Sequence, residues 1–189
     1  MVEKLVESEI YVKQDYSEKH LDGHKYDECT FKNCNFTESY LSGITFMDCV
    51  FEECDFSLAK IKDTAFKNVK FNNCKLVGLK FYECNDFLLS FEFQDCNLNF
   101  ASFRELKIQK TNFTICNLTN VDFSFCDLTE TVFDNCDLQN AIFERTVLEK
   151  ADFITSLNFI IDPAINRIKK AKFSISGIIG LLDKYDILI

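Results

Sequence analysis

The chain has 189 residues, 47% of them hydrophobic, with Phe 21, Cys 10, Pro 1 and Trp 0, and a net charge of −9. The length suits one domain and the apolar content supplies a full core. Scarce glycine and proline exclude a linker-rich chain, and the acidic balance disfavours nucleic acid as a direct partner.

Taken in order, residues 1–20 read as a polar leader. Its start, Met-Val-Glu-Lys-Leu-Val-Glu-Ser-Glu-Ile, is too charged for a signal peptide. No apolar run approaches the ~18 residues that span a membrane, so a cytoplasmic location is expected. Tyr16 and Leu21 anticipate a pattern that becomes strict from Tyr26 onward. Large apolar residues recur every fifth position: Tyr26, Phe31, Phe36, Leu41, Phe46, Phe51, Phe56, Ile61, Phe66, Phe71, Leu76 and Phe81. An insertion of two residues falls within 82–90, read as a bulge at a corner near Asn85 and Asp86. The series is expected to resume at Leu88 and runs through Phe93, Leu98, Phe103, Ile108 and Phe113 to Phe153. Residues 154–175 lose the pattern around Asn158 and Pro163 and read as an irregular closing coil. Residues 176–189 read as a short helix over 177–184 followed by an apolar tail.

A period of five fits neither the helical 3.6 nor the strand period of two. A chain that turns a corner every five residues closes a square in twenty. That second period is present in Phe93, Phe113, Phe133 and Phe153. The segment 21–153 is therefore expected to be a coil of about seven turns, stacked at the interstrand spacing of roughly 4.8 Å. Two residues before each large residue lies a second inward slot, and all the cysteines occupy it. There a free thiol acts as a small apolar group. No C-x-x-C pair or finger spacing is present, so neither metal nor any other cofactor is expected.

The runs Cys-Asn-Leu-Thr-Asn at 116–120 and Cys-Asp-Leu-Thr-Glu at 126–130 resemble the pentapeptide-repeat family. The resemblance covers 24–153. It implies an all-β fold, a right-handed quadrilateral parallel β-helix, here with a short C-terminal α-helix. Residues 16–36 are similar to the opening coils of quinolone-resistance (Qnr-type) members, and Gly-Leu-Leu-Asp-Lys-Tyr-Asp-Ile-Leu-Ile at 180–189 is similar to their closing helix and dimerising strand. The long projecting loops of many such members are missing.

No catalytic set is visible: the only histidines, His20 and His24, lie near the start, and no base partners a nucleophile. The expectation is a protein that is not an enzyme. Charge is more informative. Residues 154–189 carry more bases than acids, whereas 91–153 carry an acidic excess. One side of that segment presents Glu92, Asp95, Asp134 and Asp152 without Lys or Arg. These four form the candidate partner surface. Ile178, Ile179, Leu181, Leu182, Ile187, Leu188 and Ile189 form the candidate homodimer interface.

The resemblance implies a DNA-mimicking rod that binds DNA gyrase or topoisomerase IV and modulates quinolone sensitivity. A generic scaffold with an unrelated protein partner is the alternative. Neither reading involves a membrane or direct nucleic-acid contact.

Overall fold

The computed structural model describes residues 4–185 and Ile187. Short strands line two sides of a coil: β1 (Leu5–Glu7), β2 (Ile10–Val12), β3 (Lys25–Asp27), β4 (Thr30–Lys32), β5 (Thr45–Met47), β6 (Val50–Glu52), β7 (Ala65–Lys67), β8 (Val69–Asn72), β9 (Phe91–Gln94), β10 (Asn112–Thr114), β11 (Val132–Asp134), β12 (Asp152–Phe153) and β13 (Lys172–Phe173). One sheet has four strands in the order β1-β3-β5-β7. The other has nine, in the order β13-β12-β11-β10-β9-β8-β6-β4-β2. All pairings are parallel. The step between partners is twenty residues, as in Phe31↔Phe51 and Phe113↔Phe133, and twenty-two across the insertion, as in Phe71↔Phe93. Isolated parallel bridges such as Asn35↔Asp55 and Ser102↔Asp122 join the remaining two sides. The chain is thus a four-sided parallel β-solenoid.

It is longer than the repeat alone indicates. β1 and β2, inside the segment read as a leader, pair in register with β3 and β4. At the far end β13 pairs with β12. Eight rung spacings separate the outer strands of the larger sheet, about 38 Å of rod. The leader is a first coil with weaker residues: its centres, Tyr11 and Tyr16, are only half-buried.

The corners follow from the five-residue unit. The residue two after most centres takes a left-handed conformation, as in Asn33 (φ 53°), Asp48 (φ 51°) and Asn135 (φ 52°); Glu83, in a 3-10 turn after Phe81, is an exception. Asn and Asp tolerate this region, but a β-branched residue does not. Ile115 nevertheless adopts φ 54°. Its N–H donates to the Asp134 carbonyl on the next rung at 2.8 Å, as that of Asn33 does to Glu52 at 2.8 Å. The ladder between coils holds the corner whatever side chain sits there.

Inside, the centres form columns of rings. Phe113 stacks between Phe93 at 5.1 Å and Phe133 at 5.2 Å, and meets Phe103 and Phe123 edge-on, each at 5.9 Å. The second inward slot does more than fill space. Cys34, Cys54, Cys74, Cys96, Cys116 and Cys136 form one column. Each thiol donates to the carbonyl of a centre one coil earlier, at 3.3–3.6 Å. Thr64, Thr146 and Ser156 do the same to Leu41, Phe123 and Phe133. Where the slot holds Cys, Thr or Ser it can thus satisfy a centre carbonyl; elsewhere Ala59, Val69, Leu79 and Ala101 fill it as plain apolar groups. Burial pushes the Cys49 and Cys126 thiols up to about 12, so they stay protonated. All the cysteines are buried and unbridged.

The insertion corrects one expectation. Leu88 is not a centre: it is 66% exposed. Asn85 still bridges Ala65, and Ser90 N–H donates to Phe66, so the extra residues bulge between them. Phe91 occupies the small slot opposite Val69 instead. Its ring lies 5.6 Å from Phe66 and 5.2 Å from Phe81, filling the space that Leu88 leaves. A large ring in a small slot is accommodated because the neighbouring centre is missing.

The closing coil buries Phe159, Ile161 and Asn166. The Asn166 amide donates to the Phe143 carbonyl at 2.9 Å. A 3-10 turn (Ser176–Ile178), helix α1 (Ile179–Leu182) and a second 3-10 turn (Asp183–Tyr185) follow. Gly180 allows this segment to lie flat on the last coil. A β-carbon there would stand 2.0 Å from the Phe159 carbonyl oxygen, and the Gly180 carbonyl accepts from Ile161 N–H at 3.0 Å.

Candidate partner-binding surface

The four acidic residues do share one side, the nine-stranded sheet. Glu92, Asn112, Val132 and Asp152 occupy one column in strict register across β9–β12. Asp134 lies on the other side of its centre, Phe133, and Asp95 at the corner beyond β9. Glu92, Asn112, Asp134, Asp152 and Thr155 line a shallow groove of about 390 Å³.

The coils above and below change its charge. Glu92 is paired with Lys70 at 2.9 Å, and Asp152 with Lys172 at 2.9 Å. Partial burial would raise the Asp152 carboxyl, but the Lys172 ammonium and the Ile154 N–H outweigh it and hold the group below its ordinary value. Asp134 accepts from the Thr155 hydroxyl at 2.8 Å and the Asn135 amide at 3.0 Å, neither of which neutralises it. Asp95 is exposed. The sequence thus places four carboxylates correctly and overstates their free charge, since two meet lysines from coils outside 91–153.

The acidic side also extends further than the sequence reading has it. Glu52, Glu53, Asn72, Asn73, Gln94 and Asp95 line a second groove of about 310 Å³ on the same sheet. Glu52 pairs with Lys32 at 2.8 Å. Glu53 lies two rungs from Asp95, because Glu52↔Asn72 and Asn72↔Gln94 are successive partners. Counting by twenty misses this alignment; counting twenty and then twenty-two across the insertion finds it.

The candidate dimer residues divide. Ile178, Ile179 and Ile187 are exposed. Leu181 packs against the core and Leu182 is half-buried, so both act in the cap. Leu188 and Ile189 lie outside the described residues. Apart from that end, the insertion presents Phe87 and Leu88 to solvent, with the Lys67 ammonium 5.4 Å from the Phe87 ring. No helix among the described residues is long and apolar enough to cross a membrane.

Two family profiles match the sequence, the pentapeptide repeat region over residues 25–92 and pentapeptide repeats (8 copies) over residues 116–153. The chain belongs to the pentapeptide-repeat family. Among solved structures, full-length QnrB1, described as a plasmid-mediated fluoroquinolone resistance protein, is similar with a TM-score of 0.57 and 19% identity, over 97% of this chain and 100% of that one. HetL, a pentapeptide repeat protein involved in heterocyst differentiation regulation from the cyanobacterium Nostoc sp. strain PCC 7120, gives a TM-score of 0.49 and 16% identity over 90% and 87%. No curated protein matches the sequence. At these identities the structural likeness speaks for the fold.

Proposed function

We propose that this pentapeptide-repeat protein is a non-enzymatic DNA mimic. It docks its nine-stranded side onto a basic, DNA-binding surface of a type II topoisomerase, DNA gyrase or topoisomerase IV, and thereby modulates quinolone sensitivity. The observation that carries the reading is the run of carboxylates without a cationic partner among the described residues, Glu53, Asp95 and Asp134, along one parallel nine-stranded sheet. The likeness in fold to QnrB1, a fluoroquinolone resistance protein, supports the link to quinolone sensitivity. Ile178, Ile179 and Ile187 make the contact of a head-to-head homodimer, which lengthens the rod.

Magnitude decides how such a mimic works. Glu53 and Asp134 stand four rungs apart, about 19 Å. B-DNA carries a charge every ~1.7 Å of axis, or roughly eleven over that length. The rod therefore substitutes mainly in width and straightness, with charge steering the approach.

The test is DNA supercoiling by purified gyrase over a titration of this protein, with and without a fluoroquinolone. Rescue from the drug, or inhibition without it, is expected, and Asp95→Lys with Asp134→Lys should abolish either effect while leaving the fold intact. Indifference of the enzyme to the intact protein would leave the scaffold reading in its place.

A further inference from the structure

We propose that the last coil carries a second, oppositely charged contact, a docking surface for an acidic polypeptide segment. Its basis is independent of the acidic side. In a chain with thirty acids, residues 163–182 contain none, yet they hold Arg167, Lys169, Lys170 and Lys172. Two of these cations are absorbed by the coil below. Arg167 pairs with Glu149 at 2.7 Å and Lys172 with Asp152 at 2.9 Å. Lys169 and Lys170 are both exposed, and neither has a carboxylate partner among the described residues. They stand on the rung above Lys150, whose N–H donates to the Lys169 carbonyl at 2.9 Å. Stacked like charges about 4.8 Å apart are unfavourable. Lower on the same edge the pattern is relieved by Glu130, set between Lys110 and Lys150. At the top it is not.

The shape selects the ligand class. Lys169 and Lys170 lie on a side and a corner of the rod, both exposed to solvent, so they present an open surface to a ligand. The patch is one to two rungs high and is bounded by Glu130, Glu149 and Asp152. A duplex or long single strand would run its phosphates over those carboxylates and along an acidic rod. A short run of Asp or Glu on a protein partner fits within the patch. Because the acidic sheet begins at the adjoining corner, a partner engaging both must present base and acid side by side. That pairing fixes the direction in which the rod lies, which charge of one sign does not.

The experiment uses a fluorescein-labelled oligoglutamate peptide, followed by anisotropy against the intact chain at low ionic strength and at about 150 mM salt. Binding is expected at low salt, weakened at the higher. It should fall by about ten-fold in Lys169→Glu with Lys170→Glu, less in Lys169→Gln with Lys170→Gln, and should persist in Asp95→Lys with Asp134→Lys. Circular dichroism checks that the variants are folded. Equal binding by the double glutamate variant, no binding at low salt, or tighter binding of a labelled oligothymidylate than of the peptide would each overturn the proposal. None of these outcomes involves a topoisomerase, so they leave the acidic-sheet reading to its own test.

Discussion

Replacing Phe113 with alanine removes a ring with four aromatic partners in the middle of the rod. Burial of an aromatic side chain makes Phe→Ala cost about 3–5 kcal/mol in a packed core. Phe113 is fully buried. It also loses two face-to-face stacks and two edge contacts, each worth about 0.5–1.5 kcal/mol beyond area. Neighbouring coils cannot close the gap, because their spacing is set by the backbone ladder rather than by the rings. The upper half of the range, about 4–5 kcal/mol, is therefore expected. In a solenoid each coil contacts only its neighbours, so a weakened middle should also uncouple the two ends. Urea unfolding followed by circular dichroism should show a lower midpoint and a broadened or split transition. Tyr16→Ala, at the half-buried first coil, should lower the midpoint less and leave the transition single. A loss below about 1.5 kcal/mol at Phe113, or equal losses at the two sites, would refute the column as the source of stability.

The donor role of the second inward slot makes a paired prediction. Ser39 occupies that slot fully buried, and its hydroxyl has no partner, so Ser39→Ala should be neutral or stabilising by about 1 kcal/mol. Thr146→Ala, which removes a 2.9 Å bond to Phe123, should destabilise by about 1–3 kcal/mol; thermal melts compare the two. Gly180→Ala drives a β-carbon into the Phe159 carbonyl and should lift the helix from the last coil, read as faster amide exchange at Ile161, whose N–H loses its acceptor. Acid should weaken the rod in a defined direction. Burial would raise Asp127 and Asp152, but hydrogen bonds, to Thr129 and Gln109 in one case and to Lys172 in the other, hold both below the ordinary 3.8. A depressed carboxyl contributes stability above the unfolded value and loses it as pH falls through the folded one. The urea midpoint should be level above about pH 5 and decline below that, and Lys172→Met should remove part of the decline.

Most of the fold is legible from spacing, because a period of five has few solutions and twenty-residue recurrence leaves one. Where the reading slipped, the reason lies between coils. At Leu88 and Phe91 the sequence offers two apolar residues near one vacancy, and period alone favours Leu88. Ring size decides otherwise: a Phe in the small slot reaches the space of an absent centre, while Leu88 is carried outward by the bulge. The first coil is hard to see in the sequence because its outward Leu5, Ile10 and Val12 blur the alternation that marks the inner coils, although Tyr11 and Tyr16 keep the phase.

The candidate surface shows the same limit in electrostatic form. Membership of a side follows from the centre column, so Glu92, Asp95, Asp134 and Asp152 are placed by counting. Their charge state does not follow, since each outward residue has its nearest neighbours twenty positions before and after, or twenty-two across the insertion. Lys70 and Lys172 lie outside the acidic segment in sequence and inside it in space. They convert a uniform strip into one whose ends are neutral and whose free carboxylates, with Glu53, are spread along the sheet. On a stacked coil the unit of surface charge is thus the column. A substitution such as Lys70→Gln, outside the acidic segment in sequence, should expose Glu92 and strengthen binding to a basic partner, whereas Glu92→Gln should free Lys70 and weaken it.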